Sequence, residues 1–180
     1  MKIRLLFFCL LMPFLAMAEH LEFRGIPIDG TFSAFNDNLN RQGYNTDWDI
    51  TERMGKGEWA YYNGRYFNND CHLLVSYDPS TKVVYSVMVS ITKPTQPAAR
   101  KLVTDLKNAL ENKYGWKFKE EDHDYHPYYR ALVEEDSIFG DDIGSVSIGY
   151  DYDEDFDDYD VTVFFYDYQN ADKNRMNMGR

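Results

Sequence analysis

Hydrophobic and polar positions fall into runs of different period along this chain. Residues 5–15 form an unbroken apolar run behind Lys2 and Arg4, followed by Ala16-Met17-Ala18, the small-x-small pattern of a signal-peptide cleavage site. That run is shorter than the ~20 apolar residues a helix needs to cross a bilayer. It predicts a secretory signal over 1–18, a mature chain from Glu19, and no membrane insertion after cleavage.

Helical spacing occurs twice. Phe32, Phe35 and Leu39 recur at steps of three and four behind the cap Gly30-Thr31 and stop at Gly43. Leu102, Val103, Leu106, Leu110 and Tyr114 do the same over 96–114, with Thr95 before them, Pro97 in the tolerant first turn and Gly115 after them. Elsewhere the period is two. Residues 48–92 read as strand-like runs over 58–66, 71–77 and 83–91, with Asn63-Gly64, Asn68-Asn69 and Asp78-Pro79-Ser80 as turn signals. In the third run, Val83, Tyr85, Val87, Val89 and Ile91 share a face. A second strand-rich region covers 116–119, 128–133, 144–151 and 159–168. Its last run sets Val161, Val163 and Phe165 against Phe164 and Tyr166, which predicts a central strand covered on both sides. Residues 170–180 are polar and predict a flexible tail.

Runs of adjacent strands with two helices predict an α+β fold, an antiparallel sheet with both helices packed on one face. The expected unit is one domain over 19–169, whose halves 19–93 and 94–169 each read as a helix plus three or four strands, the order a tandem duplication would give. Alternating β-α-β units, which a doubly wound nucleotide-binding fold requires, are absent from the pattern.

The composition is that of a globular protein, 44% hydrophobic and 17% aromatic. Charge narrows the partners. Removal of 1–18 takes two of the 19 basic residues and none of the 30 acidic ones, leaving 17 against 30 and a net charge of −13. Such a surface repels phosphate backbones and anionic lipid heads, which argues against nucleic acid and membrane surfaces as partners. Cys71 is the one cysteine of the mature chain, so no disulfide within it can form. In Cys71-His72-Leu73 the adjacent side chains of a strand point to opposite faces, so His72 cannot serve Cys71 as a base and a buried thiol is expected.

A resemblance rests on short motifs. Phe23-Arg24-Gly25-Ile26-Pro27-Ile28-Asp29-Gly30-Thr31-Phe32, Gly57-Glu58-Trp59-Ala60, Cys71-His72-Leu73-Leu74-Val75, Val83-Val84-Tyr85-Ser86-Val87 and the helix end Lys113-Tyr114-Gly115 resemble a group of secreted or periplasmic proteins of Bacteroidetes. The helix-plus-antiparallel-sheet plan is similar to the β-lactamase-inhibitor-protein-like (BLIP-like) fold. The resemblance covers about the first two thirds of the mature chain and implies a compartment and a fold; it carries no active-site residues.

Three constellations are candidates for chemistry. Asp151, Asp153 and Asp155 have the spacing of the first three ligands of an EF-hand, but Phe156 stands where that loop needs glycine and Thr162 where it needs a bidentate glutamate. A charged hairpin turn that discourages edge pairing is the competing reading. His123 and His126, three apart beside Asp122, could hold zinc, although Pro127 interrupts the geometry and no third ligand follows from spacing. Among the many aromatics, Trp59, Tyr61 and Tyr62, with Tyr150 and Tyr152 beside the acidic segment, are the expected binding surface. Nucleophile elbow, phosphate loop, Cys-x-x-Cys and His-Glu-x-x-His motifs are missing.

These features predict a periplasmic or secreted, non-enzymatic binding module, needing no cofactor, that holds a protein in the envelope or outside the cell and could inhibit it. The alternatives are a glycan-binding envelope protein and, after that, a metal-binding protein or hydrolase.

Overall fold

A computed structural model describes residues 20–54, 57–121, 128–134 and 142–178. The expected signal segment lies outside them. The chain is α+β: among the described residues it forms an antiparallel eight-stranded sheet, a separate two-stranded hairpin and four helices.

The hairpin comes first. β1 (Glu22–Phe23) and β2 (Ile26–Pro27) pair around the two-residue turn Arg24-Gly25, both at positive φ, the type I′ geometry that matches strand twist. α1 (Phe32–Arg41) follows, capped by Thr31 Oγ1, which accepts from Ala34 N at 3.4 Å, and it buries Phe35 and Leu39. β3 (Asn45–Thr46), β4 (Trp59–Tyr66), β5 (Asn69–Tyr77) and β6 (Val84–Lys93) then form a meander. Between β3 and β4 runs α2 (Trp48–Met54), where β texture was expected. Asp47 Oδ1 accepts from Ile50 N at 3.0 Å and caps it. This short helix covers the β4 edge: Asp47 N donates to Tyr61 O, and Tyr61 N donates to Thr51 Oγ1.

α3 (Gln96–Tyr114) is capped by Thr95 and stopped by Gly115 in the left-handed region at φ 75°. Its buried stripe is Ala99, Leu102, Val103, Leu106 and Leu110, and each buried Leu or Val there stabilises the fold by about 1.5–3 kcal/mol. β7 (Lys119–Glu121), β8 (Tyr128–Glu134), β9 (Asp142–Asp153) and β10 (Asp158–Asp167) make the second meander. β7 begins later than the expected 116–119 because Trp116 stacks on Tyr114 at 4.3 Å and Phe118 is buried.

The sheet order is β3-β4-β5-β6-β10-β9-β8-β7. Each half is thus a helix followed by a four-stranded meander, and the two last strands pair antiparallel in the middle, Val87 opposite Phe165, Val89 opposite Val163 and Ile91 opposite Val161. These residues, their row-mates Leu73, Val75, Val146 and Ile148, and the stripes of α1 and α3 form one core.

The expected flexible tail is instead α4 (Tyr168–Met178). Asp167 Oδ1 caps it through Asn170 N at 2.9 Å, and Asn170 Nδ2 donates to Ile28 O at 2.7 Å and Val84 O at 3.2 Å. It lacks an apolar stripe, so sequence pattern hides it; buried amide hydrogen bonds fasten it. No helix among the described residues is long and apolar enough to cross a membrane.

Candidate functional site

Successive side chains of a strand go to opposite faces, and only one face of this sheet meets α1 and α3. On the other, the registers align Tyr61, Leu74, Met88, Phe164, Ser147 and Arg130 in one row across six strands. The neighbouring row is Trp59, Ser76, Ser86, Tyr166, Ser145 and Leu132. The large members are half-buried or exposed, and the four serines are buried between them. A floor of small polar residues thus carries ridges of larger apolar ones.

A bulge adds another ring. Ser76 lies opposite Ser86 but Tyr77 opposite Val84, so Tyr85 is the extra residue of β6. It does not share the core face with Val87, as simple alternation predicts. Its ring meets that of Tyr166 edge-on at 6.4 Å; Tyr166 in turn stacks with Phe164 at 5.7 Å and touches Tyr168 at 5.8 Å. All are distances at which aromatic pairs attract. Arg130 Nη2 donates to Tyr168 Oη at 2.6 Å, fixing the end of this ladder. Phe164 and Tyr166 were expected to be covered; they are half-buried, because α1 and α3 both pack on the opposite face.

One border of this face is acidic. Pairing of Asp151 with Asp160 and of Asp153 with Asp158 places four carboxylates on the side occupied by Thr162, next to the β9–β10 turn. Asp151, Asp153, Asp155, Asp160 and Thr162 line a shallow hollow there. Partial desolvation, then the charges of Asp160, Asp153 and Asp157, push the Asp158 carboxyl above its ordinary range. Burial first, then Asp160 and Asp47, raise the Tyr61 phenol, so the acids act electrostatically on the aromatic surface.

The expected binding residues are split by strand alternation. Trp59 and Tyr61 stand on the open face, Tyr61 stacked on His72 at 5.5 Å. Tyr62 and Tyr150 point the other way into the core, Tyr62 Oη donating to Asn36 Oδ1 at 2.9 Å and Tyr150 Oη accepting from Arg100 at 3.3 Å. These two are therefore not part of an accessible surface. Tyr152 is exposed near the turn, its hydroxyl donating to Asp157 at 2.7 Å. Asp151 and Asp153 border the acidic hollow, and an oxygen of Asp153 accepts from Asp155 N at 2.9 Å. Among the described residues no three histidine, cysteine, aspartate or glutamate side chains come together to hold a metal. His123 and His126 lie outside the described residues. Cys71 is buried and free, with His72 exposed on the opposite side, its Nδ1 2.7 Å from Asn63 Oδ1. Burial pushes the Cys71 thiol up to about 11.

Comparison with family models, with curated proteins and with solved structures finds no match. Sequence reading missed the ladder of Tyr85, Tyr166, Phe164 and Tyr168. The signal present was the double-sided apolar character of 161–166; what it lacked was the knowledge that α1 and α3 pack on one face.

Proposed function

We propose that this chain is an exported, non-enzymatic binding module that grips a protein partner with its open sheet face. The observation that carries the reading is the half-buried ladder Tyr85–Tyr166–Phe164, set on a face that α1 and α3 leave uncovered. Aromatic side chains that combine a large apolar body with a polar tip are enriched where proteins meet. The four carboxylates along one border favour a partner whose contact surface carries lysine or arginine beside its apolar side chains. A partner held against a broad sheet face has its own surface occluded, which makes inhibition the natural consequence. Two helix-plus-meander units joined at their last strands support the BLIP-like reading of the helix-plus-antiparallel-sheet plan, and the signal-like opening supports a periplasmic or extracellular site of action.

Capture of the partner from the native envelope fraction, repeated with Phe164→Ser and with Asp160→Asn, tests this. Loss of a central aromatic anchor costs a complex roughly 2 kcal/mol or more, so Phe164→Ser should abolish retention at moderate stringency. Asp160→Asn should slow association and flatten its salt dependence. Retention that neither substitution changes, from a protein that remains folded, refutes the reading.

A further inference from the structure

At the end of the molecule where the β1–β2 and β4–β5 turns lie, a cavity of about 350 Å³ is lined by Arg24, Arg65, Lys113, Tyr66, Phe67 and Tyr114, together with Gln42 and Asn68. Three cations converge on it in a chain with a net charge of −11. Among the described residues one carboxylate, Asp70, is paired to them, through Arg65 Nε at 3.3 Å, and it is almost wholly exposed.

The cations are held rather than loose. Arg24 Nη1 donates to Tyr44 Oη at 2.8 Å and to Arg65 O at 3.0 Å, with its guanidinium 5.6 Å from the centroid of the Tyr44 ring. These bonds use one nitrogen of the fork, and no further partner for its Nε or Nη2 is found among the described residues. Arg65 Nη2 donates to Asn68 O at 2.9 Å, and Lys113 Nζ stands 4.7 Å from the centroid of Tyr114. Lys113 lies in the last turn of α3, so part of its charge offsets the negative end of that helix. The two guanidinium groups still exceed the one carboxylate, Asp70, that is paired to them among the described residues.

Of the five non-glycine residues at positive φ among the described residues, three line this cavity. Arg24, Phe67 and Asn68 have φ of 52°, 45° and 62°, the left-handed region that costs an ordinary residue roughly 1–2 kcal/mol. Both hairpin tips could relieve this with the Asn-Gly pair that type I′ turns favour. Instead one carries an arginine and the other a phenylalanine, and both side chains line the cavity. Strain retained at a cavity wall is characteristic of sites whose side chains have a use.

We propose that this cavity binds a carboxylate borne on a flat or apolar body. A guanidinium fork matches a carboxylate in a planar, two-point arrangement, while Phe67, Tyr66 and Tyr114 offer ring surface to the rest of the ligand. The site is independent of the open sheet face and of the function proposed for it.

Benzoate titrated into the full chain, followed by amide chemical shifts, tests the proposal, with inorganic phosphate as a second probe. Benzoate should move the amides of Arg24, Asn68 and Lys113 in a saturable manner. Arg65→Gln and Lys113→Gln should each weaken it roughly tenfold, the loss of one charge-assisted hydrogen bond, and Lys101→Gln, an exposed cation elsewhere on α3, should leave it unchanged. Phosphate should bind more weakly than benzoate. Absence of saturable shifts at the cavity, indifference to both glutamine substitutions in proteins with native amide spectra, or phosphate binding as tightly as benzoate overturns the proposal.

Discussion

The ring of Tyr44 lies against Gly64 so closely that a Cβ at Gly64 would clash with its Cδ1. The tyrosine cannot easily give way, since it is buried, its hydroxyl donates to Arg65 O at 3.0 Å, and it accepts from Arg24 at 2.8 Å. Gly64→Ala is therefore expected to destabilise the protein by about 1–3 kcal/mol, the cost of overpacking. Urea unfolding monitored by circular dichroism measures it; an unchanged midpoint would show that the contact is not close-packed.

Asn170 joins α4 to the rest of the molecule through two buried carbonyls, Ile28 O and Val84 O. Asn170→Ala leaves both without that donor and should cost about 2–6 kcal/mol, at 1–3 kcal/mol for each group stranded. Hydrogen exchange should show the α4 amides losing protection before those of β6 and β10. Equal loss everywhere would contradict a separately fastened helix.

Cys71 gives a pH dependence with a definite sign. Its folded thiol holds its proton to about 11 against an ordinary 9.0, so its contribution to stability is complete below pH 9 and disappears as pH rises from there through 11. Burial raises the Tyr62 and Tyr66 phenols above 10.0, which extends the loss of stability to higher pH. Iodoacetamide should leave Cys71 unmodified at pH 8 in the native protein and alkylate it in urea. Rapid native alkylation at that pH would place the thiol outside the core.

Much of the architecture is legible in the sequence because it is written in short-range periodicity. The stripe of α3 and its Thr95 and Gly115 boundaries, and the alternation in β5, β6 and β10, state which side chains go inward. Two kinds of feature escape that pattern. α2 and α4 are fastened by Asp47 and Asp167 caps and by polar bonds, which leave no apolar repeat. Faces that depend on register escape as well: Asn63-Gly64 reads as a turn but lies within β4, where Gly64 makes room for Tyr44. The bulge at Tyr85 moves a ring from the core to the open face. Of the candidate site, Trp59 and Tyr61 were visible as an aromatic cluster, but their partners come from β6, β10 and α4, elements more than twenty residues away.

The acidic border should also be visible in stability. The Asp158 carboxyl is raised by partial desolvation and by Asp160, Asp153 and Asp157. A carboxyl raised in the folded state favours the fold below its ordinary 3.8 and ceases to as pH rises through the folded value. At neutral pH the cluster therefore repels itself. Asp158→Asn should raise the melting temperature at low ionic strength, and the gain should shrink as salt is added. A lowered melting temperature under those conditions would mean that the carboxylate has a stabilising partner.

On the proposed function, the partner is held on the sheet face opposite α1 and α3. A photo-crosslinking amino acid placed at Phe164, and in a second protein at Lys101 on the exposed side of α3, tests this in the native envelope fraction. One discrete crosslinked protein is expected from position 164 and none from position 101. Crosslinking from position 101 with none from 164 would contradict it.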